Sequence, residues 1–283
     1  MTCRTLECNL RYYKLFSPSH PTTDAVPIRR TGLPAAQIDH GGVHCPASMN
    51  SRTAASLLLV VTLLVTGFVG ARPPAASAPS RSASEKWESE IAAFEQADRQ
   101  APPPSGGIVF VGSSTIRLWK SLADDFRDYP VINRGFGGSE LADSVYFADR
   151  IVIPYKPRLV VLFAGTNDIN AGKSPQQVCD DFKAFVAKVR AALPETRIAY
   201  LSISPAPVRW SQADRQQEAN RLIQEVIRQG DNLDYIDEWS QFLGPDGKPR
   251  EELFQPDRLH SNEAGYKLRA QIVRPHLAPP PKS

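Results

Sequence analysis

The chain has 283 residues, 42% hydrophobic and 22% charged, enough for one sizeable domain with extra segments. A net charge of +3 is too small to argue for nucleic acid or an anionic membrane surface as a partner. Cys3, Cys8 and Cys45 lie near the N-terminus and only Cys179 lies beyond, so the later part can form no internal disulfide and must stand on a hydrophobic core.

Residues 1–48 mix Pro, Gly, His and Arg without periodicity and are expected to form no compact structure. Met49-Asn50-Ser51-Arg52 then places one positive charge before an apolar run from Ala54 to Ala71. The run ends in Val69-Gly70-Ala71, small residues of the kind a signal peptidase needs. We read residues 49–71 as a signal peptide, with translation starting at Met49 and residues 1–48 a non-native or disordered extension. An uncleaved membrane anchor is the alternative, because the run approaches the roughly 18–20 residues that span a bilayer. Either way the protein is expected to be exported, periplasmic or secreted, with membrane attachment only through residues 54–71. Residues 72–83 read as a Pro/Ala/Ser linker, 84–278 as the folded domain and 279–283 as a tail.

Within the domain, Trp87, Ile91 and Phe94 predict a helix over 84–99. A buried strand is expected over 107–111, then a helix carrying Ile116, Leu118, Trp119 and Leu122. Val131-Ile132-Asn133 predicts a second strand, followed by a glycine loop and a helix through Leu141, Val145 and Phe147. Leu159 to Phe163 is the clearest strand, bounded by Pro157 and Gly165, and a helix over 175–193 follows. That helix carries Cys179 on its apolar face, which predicts a small buried residue rather than a reactive thiol. Strands over 198–202 and 233–236 and helices over 213–228 and 261–273 complete the pattern. Strict alternation of strand and helix predicts a three-layer α/β/α sandwich on a five-stranded parallel sheet, and we expect the flavodoxin-like order 2-1-3-4-5. In that order Ser114 after the first strand and Asn167 after the third meet at the switch point, where ligands bind.

A serine hydroxyl is a poor nucleophile unless a base takes its proton. After residue 48 the chain holds only His260 and His276. His276 sits beside Pro275 in a proline-rich tail and reads as a solvated surface residue, which leaves His260. Asp257, three residues earlier, can reach the ring Nδ1 in a tight turn and turn Nε2 toward the serine. On its own, Asp-x-x-His also fits a capped surface turn. A tetrahedral intermediate needs donors for its oxyanion. Ser114 N–H, the Asn167 side-chain amide and backbone N–H groups of the loop 133–138 are candidates. Taken singly, these segments also fit a plain βα turn or an Asx-turn. Activity is expected to fall on acidification through the ordinary imidazole range, about 6.5.

The blocks Gly112-Ser113-Ser114, Asn133 to Gly138, Gly165-Thr166-Asn167-Asp168 and Asp257 to His260, in this order, resemble the SGNH hydrolase superfamily of GDSL-type esterases and lipases over roughly residues 107–275. The resemblance implies a three-layer α/β/α fold and acyl transfer to water through an acyl-serine, with no metal or cofactor. It assigns Ser114 as nucleophile, Gly138 and Asn167 to the oxyanion hole with Ser114 N–H, and Asp257 and His260 to the catalytic pair. The chain departs from the usual Gly-Asp-Ser, since Ser113 stands where that motif has a carboxylate. Arg134, Phe136, Arg209 and Trp210 fall on loops at the expected active edge and are candidates to line the substrate pocket; for Arg209-Trp210, a loop anchored by a packed aromatic is the other reading. No long apolar lid is visible, so short acyl groups are expected, such as acetyl on a carbohydrate or another small-molecule ester.

Two other functions compete. A non-catalytic binding protein on the same fold is one, because fold does not fix function. A nucleotide-binding enzyme is the other, suggested by Gly172-Lys173-Ser174 between a strand and a helix. A P-loop needs glycine at position 167, which is asparagine here.

Overall fold

The computed structural model describes residues 84–278. The expected extension at 1–48, signal or anchor at 49–71, linker at 72–83 and tail at 279–283 lie outside the described residues.

After a short 3₁₀ turn at Glu85–Trp87, the elements are α1 (Glu88–Gln100), β1 (Ile108–Gly112), α2 (Ser114–Arg117), α3 (Leu122–Asp125), β2 (Val131–Gly135), α4 (Leu141–Ile151), β3 (Leu159–Phe163), α5 (Thr166–Asn170), α6 (Pro175–Ala192), β4 (Arg197–Leu201), α7 (Ala213–Gln229), β5 (Leu233–Ile236) and α8 (Glu263–Val273). The five strands form one parallel sheet in the order β2-β1-β3-β4-β5. This is the flavodoxin-like order read from the strand–helix alternation.

The sheet sorts its side chains by the two-residue period of a strand. Val109, Val111, Val160, Leu162, Ile198 and Tyr200 face a layer made by α1, α4, α6 and α7. Ile108, Phe110, Leu159, Val161, Phe163, Ala199 and Leu201 face the opposite layer, with Ile116, Trp119, Tyr266 and Val273. Both faces of β1 and β3 are therefore dry, which is why these strands read as unbroken apolar runs. Each fully buried aliphatic or aromatic side chain contributes about 1.5–3 kcal/mol. Cys179 is buried on α6, and burial pushes its thiol pKa up. Local chemistry sets the helix ends. Ser174 and Gln177 form a reciprocal capping box with Pro175 in the first turn of α6.

The structure revises four local expectations. The single helix expected around Trp119 is two short ones, because Trp119 Nε1 and Ser121 Oγ both donate to Asp125 Oδ2, at 2.6 and 2.7 Å, and turn the chain between them. β2 runs on to Gly135, so Arg134 belongs to a strand and not to a loop. The last helix starts at Glu263, because Ser261 pairs with Phe254 in an isolated bridge and Asn262 caps the helix by accepting from Gly265 N–H at 3.1 Å. His276 is not simply solvated: its Nδ1 lies 2.7 Å from Asp234 Oδ2 in a half-buried pair.

Candidate active site

The serine turn is built by the end of β1. Gly112 has φ +142°, and a Cβ there would come within 1.9 Å of the Phe163 carbonyl oxygen, so only glycine lets β1 and β3 close at this point. Ser113 follows, buried, with its N–H donating to that same carbonyl at 3.2 Å. Ser114 then opens α2. Two neighbours pin the turn. Asn133 Nδ2 of β2 donates to Ile116 O at 2.6 Å, and Tyr266 Oη of α8 donates to Thr115 O at 3.0 Å. Gly135 is required beneath it, since a Cβ at that position would lie 2.2 Å from Arg117 N.

The histidine sits on the loop before α8. Asp257 Oδ1 accepts from Leu259 N–H at 2.9 Å and from His260 N–H at 3.0 Å. Arg258 between them takes φ +58°, which lets the loop fold back on its own carboxylate. Asp257 Oδ2 lies 2.6 Å from His260 Nδ1, and His260 Nε2 lies 3.0 Å from Ser114 Oγ. An ionised carboxylate only accepts, so the Nδ1 proton donates to Asp257 and Nε2 is left to accept from the serine hydroxyl. Burial alone would raise the Asp257 pKa, but the His260 ring and the two N–H groups bring it down to about 2. The loop is braced by Gln255, whose N–H donates to His260 O at 2.7 Å and whose Nε2 donates to Ser261 O at 3.0 Å.

Asn167 reaches the same place from β3. Tyr200 Oη donates to Ala164 O at 2.8 Å, Gly165 turns at φ +120°, and Asn167 falls in the first turn of α5. Its Nδ2 donates to Ser139 O at 3.0 Å, which ties it to the loop that carries Gly138. Ser114, Asn167 and His260 share one small hollow with about 20 Å³ of free space, whose walls include Phe163, Thr166, Ser204, Ala206 and Leu259. The arrangement brings together a hydroxyl, an imidazole nitrogen placed to accept its proton, a carboxylate bonded to the other ring nitrogen and a side-chain amide. Gly138, with φ +75° and the Trp87 ring beside it, does not line the hollow. A larger groove of about 380 Å³ runs past Phe94, Arg117 and Asn133, with no serine–histidine pair in it.

Two residues expected in the substrate pocket lie elsewhere. Arg134 stands opposite Val111 in the sheet and points to the α1 layer, where it pairs with Asp98 and donates to Tyr155 Oη at 2.8 Å. Phe136 is wholly buried between Trp87 and Phe147, with ring centroids 5.9 Å from each. Arg209 and Trp210 sit on the 3₁₀ turn Pro207–Gln212, and Trp210 stacks on Trp239 at 6.1 Å. That turn is docked on the histidine loop by Val208 N–H to Arg258 O at 3.1 Å, so the pair flanks the hollow without lining it. The wall residues Phe163, Ser204 and Ala206 escaped the sequence reading. Their position at the carboxyl ends of β3 and β4, where a parallel sheet opens its ligand site, was the available signal. Among the described residues no cluster of His, Cys, Asp and Glu is placed to hold a metal ion.

The model of the GDSL-like lipase/acylhydrolase family matches residues 108–268. No curated protein matches the chain. Among solved structures, a Streptococcus pneumonia protein named for platelet activating factor superposes with a TM-score of 0.61 at 21% identity, covering 70% of this chain and 95% of that one. A GDSL-like lipase from Bacteroides thetaiotaomicron gives 0.55 at 19%, covering 69% and 96%. An acetyl xylan esterase gives 0.51 at 21%, covering 60% and 99%. These likenesses show the fold.

Proposed function

Since the chain belongs to the GDSL-like lipase/acylhydrolase family, we propose that it is a serine hydrolase that cleaves carboxylic esters with short acyl groups, acetyl on a carbohydrate or a similar small ester. The observation that carries this reading is the unbroken line Asp257 Oδ2, His260 Nδ1, His260 Nε2, Ser114 Oγ, with gaps of 2.6 and 3.0 Å. Ser114 Oγ attacks the ester carbonyl carbon while its proton passes to His260 Nε2. Asp257 stabilises the imidazolium. The carbonyl oxygen becomes an oxyanion held by Ser114 N–H and Asn167 Nδ2, and Gly138, the third donor of the family motif, stands on the loop that Asn167 grips through Ser139 O. Collapse expels the alcohol, which takes its proton from His260. Water then attacks the acyl-serine, gives a proton to His260, and releases the carboxylic acid and free Ser114. His260 must be neutral to begin, so the rate falls on acidification. The short-acyl preference is supported by the small hollow and its close walls at Phe163, Ala206 and Leu259. That an acetyl xylan esterase shares the fold agrees with it.

Fluorophosphonate labelling of residues 72–283, beside Ser114→Ala and Ser113→Ala, tests the chemistry without choosing a substrate. Labelling lost only in Ser114→Ala is expected. Labelling lost only in Ser113→Ala overturns the assignment, and a wild type that never labels leaves a binding protein on this fold. A 4-nitrophenyl ester series then tests the acyl length, and a preference for long chains over acetyl removes that part of the reading. The same proposal has the protein work outside the cytoplasm, sent there by residues 49–71. An exported form that begins shortly after Ala71 is expected, whereas one beginning at Met1 or Met49 speaks against cleavage.

A further inference from the structure

Beside Asn167 lies a part-buried knot of charge, centred on the fully buried Asp168, that the acyl transfer does not use. The Asp168 side chain is fully buried, and both its oxygens lie 3.1 Å from Leu141 N–H. Its Oδ1 also accepts from Lys173 Nζ at 3.1 Å. The same ammonium reaches Asp181 Oδ2 at 2.9 Å and Glu140 Oε2 at 2.9 Å. The Lys173 backbone is held as well, with its N–H on Asp168 O at 3.0 Å and its carbonyl accepting from Arg215 at 2.6 Å.

Stability is a weak reason for such a cluster. A buried carboxylate is costly, and apolar replacements of buried ion pairs are often neutral or stabilising. The placement of the cluster is more informative. Leu141 opens α4 three residues after Gly138, and Asp168 is the residue after Asn167. The Asp168 carboxylate therefore joins the loop after β2 to the loop after β3. The Asn167 Nδ2 bond to Ser139 O joins the same two loops a second time. That bond commits one amide proton of Asn167 and sets the plane of the amide, which leaves the second proton for the hollow.

We infer that Asp168 and Lys173 are positioning residues that hold Asn167 and the Gly138 loop in register as one oxyanion-binding unit. The inference rests on the ester-hydrolase reading above. Neither residue touches the reacting atoms. They act by holding donors where charge develops, and a misplacement near 1 Å there costs about a hundredfold in rate.

The test uses Asp168→Asn, Lys173→Met and Lys173→Arg beside the wild type and Ser114→Ala. For the first two, kcat on a short-chain ester is expected to fall about tenfold to a hundredfold with KM nearly unchanged. Affinity for a short alkyl boronic acid, which forms a tetrahedral adduct on serine, should fall by the same factor, while inhibition by the carboxylate product stays as in the wild type. Lys173→Arg should restore most of both. A purely structural role moves the unfolding midpoint without this split. Folded variants with wild-type kcat and wild-type boronate affinity overturn the inference. If Asp168→Asn does not fold, the two lysine variants decide. A wild type without Ser114-dependent hydrolysis overturns the ester-hydrolase reading and this inference together, whereas an active wild type with indifferent variants overturns only this one.

Discussion

Two aspartates flank the same hollow, and their surroundings treat them oppositely. Asp257 is 47% exposed on a loop, accepts three hydrogen bonds from its own turn and is held at a pKa of about 2. Asp168 is 0% exposed behind the sheet edge, and burial pushes its carboxyl up to about 6, against the pull of Lys173 and of Leu141 N–H. Lys173 in turn would be lowered by burial, but Asp168 and its two other carboxylate neighbours hold it above the ordinary lysine range. One carboxylate is tuned by local hydrogen bonds and holds the His260 ring, the base of the proposed reaction. The other is tuned by desolvation and ties two loops together. Residue type alone carries neither role; the number of donors and the access of water decide it.

The sharpest way to break this comparison is to neutralise the exposed acid. Asp257→Asn is expected to lower kcat by about 10⁴, because an amide favours the wrong imidazole tautomer. Its unfolding midpoint should move by only about 1–2 °C, since the residue is largely solvated. A loss below tenfold in steady-state kinetics would place the orienting group elsewhere. Asn167→Ala comes next, with an expected loss of about 10²–10³ in kcat, the usual cost of one oxyanion donor. If it raised KM and left kcat alone, Asn167 would serve ground-state binding instead.

The buried acid should show itself in stability against pH. The Asp168 pKa lies above the ordinary carboxylate value of about 3.9, so between about pH 4 and 6 the folded protein binds the proton that the unfolded chain has lost. Stability from this group is complete below pH 4 and declines as pH rises through 6. Denaturant titrations should show that decline in the wild type and a flatter profile in Asp168→Asn. Asp257 has the reverse sign: its contribution is present above pH 4 and is lost as pH falls toward 2. The smallest expected effect is at Ser113. Ser113→Asp, which restores the usual carboxylate beside the nucleophile, should change kcat/KM by less than about tenfold, because Ser113 holds its place through its backbone N–H and not through a cap from its side chain. A larger gain would mean that this position tunes Ser114.

Much of the site was legible because its parts are local. Gly112-Ser113-Ser114 closes a strand that reads apolar from Ile108 on, and the Asp257 to His260 bonds span three residues. His260 also stood out by elimination, since few histidines remain after residue 48. The pocket wall was less legible. The glycines from Gly135 to Gly138 read as a loop that takes in Arg134, yet Asn133 Oδ1 accepts from Gly135 N–H at 2.9 Å inside the strand. With a period of two, extending β2 to Gly135 sets the face of Arg134 and sends it to Asp98. Phe136 was lost from the pocket for a related reason. Its N–H continues the sheet by donating to Gly112 O at 2.9 Å, and its ring joins the core.

By itself the sequence determined the five strand segments, the helices between them, their parallel order and the serine, asparagine and histidine blocks at the carboxyl ends. These follow from hydrophobic period, turn residues and crossover handedness, which act over a few residues or constrain every such sheet. Only the tertiary structure decided which side chains face the hollow, how Asn167 is held, and that Asp168, Lys173, Asp181 and Glu140 meet. Those facts depend on contacts such as Leu141 N–H to Asp168, 27 residues apart in sequence, whose strength comes from the exclusion of water around them. Water exclusion is a property of the packed layers, and no single segment of the chain carries it.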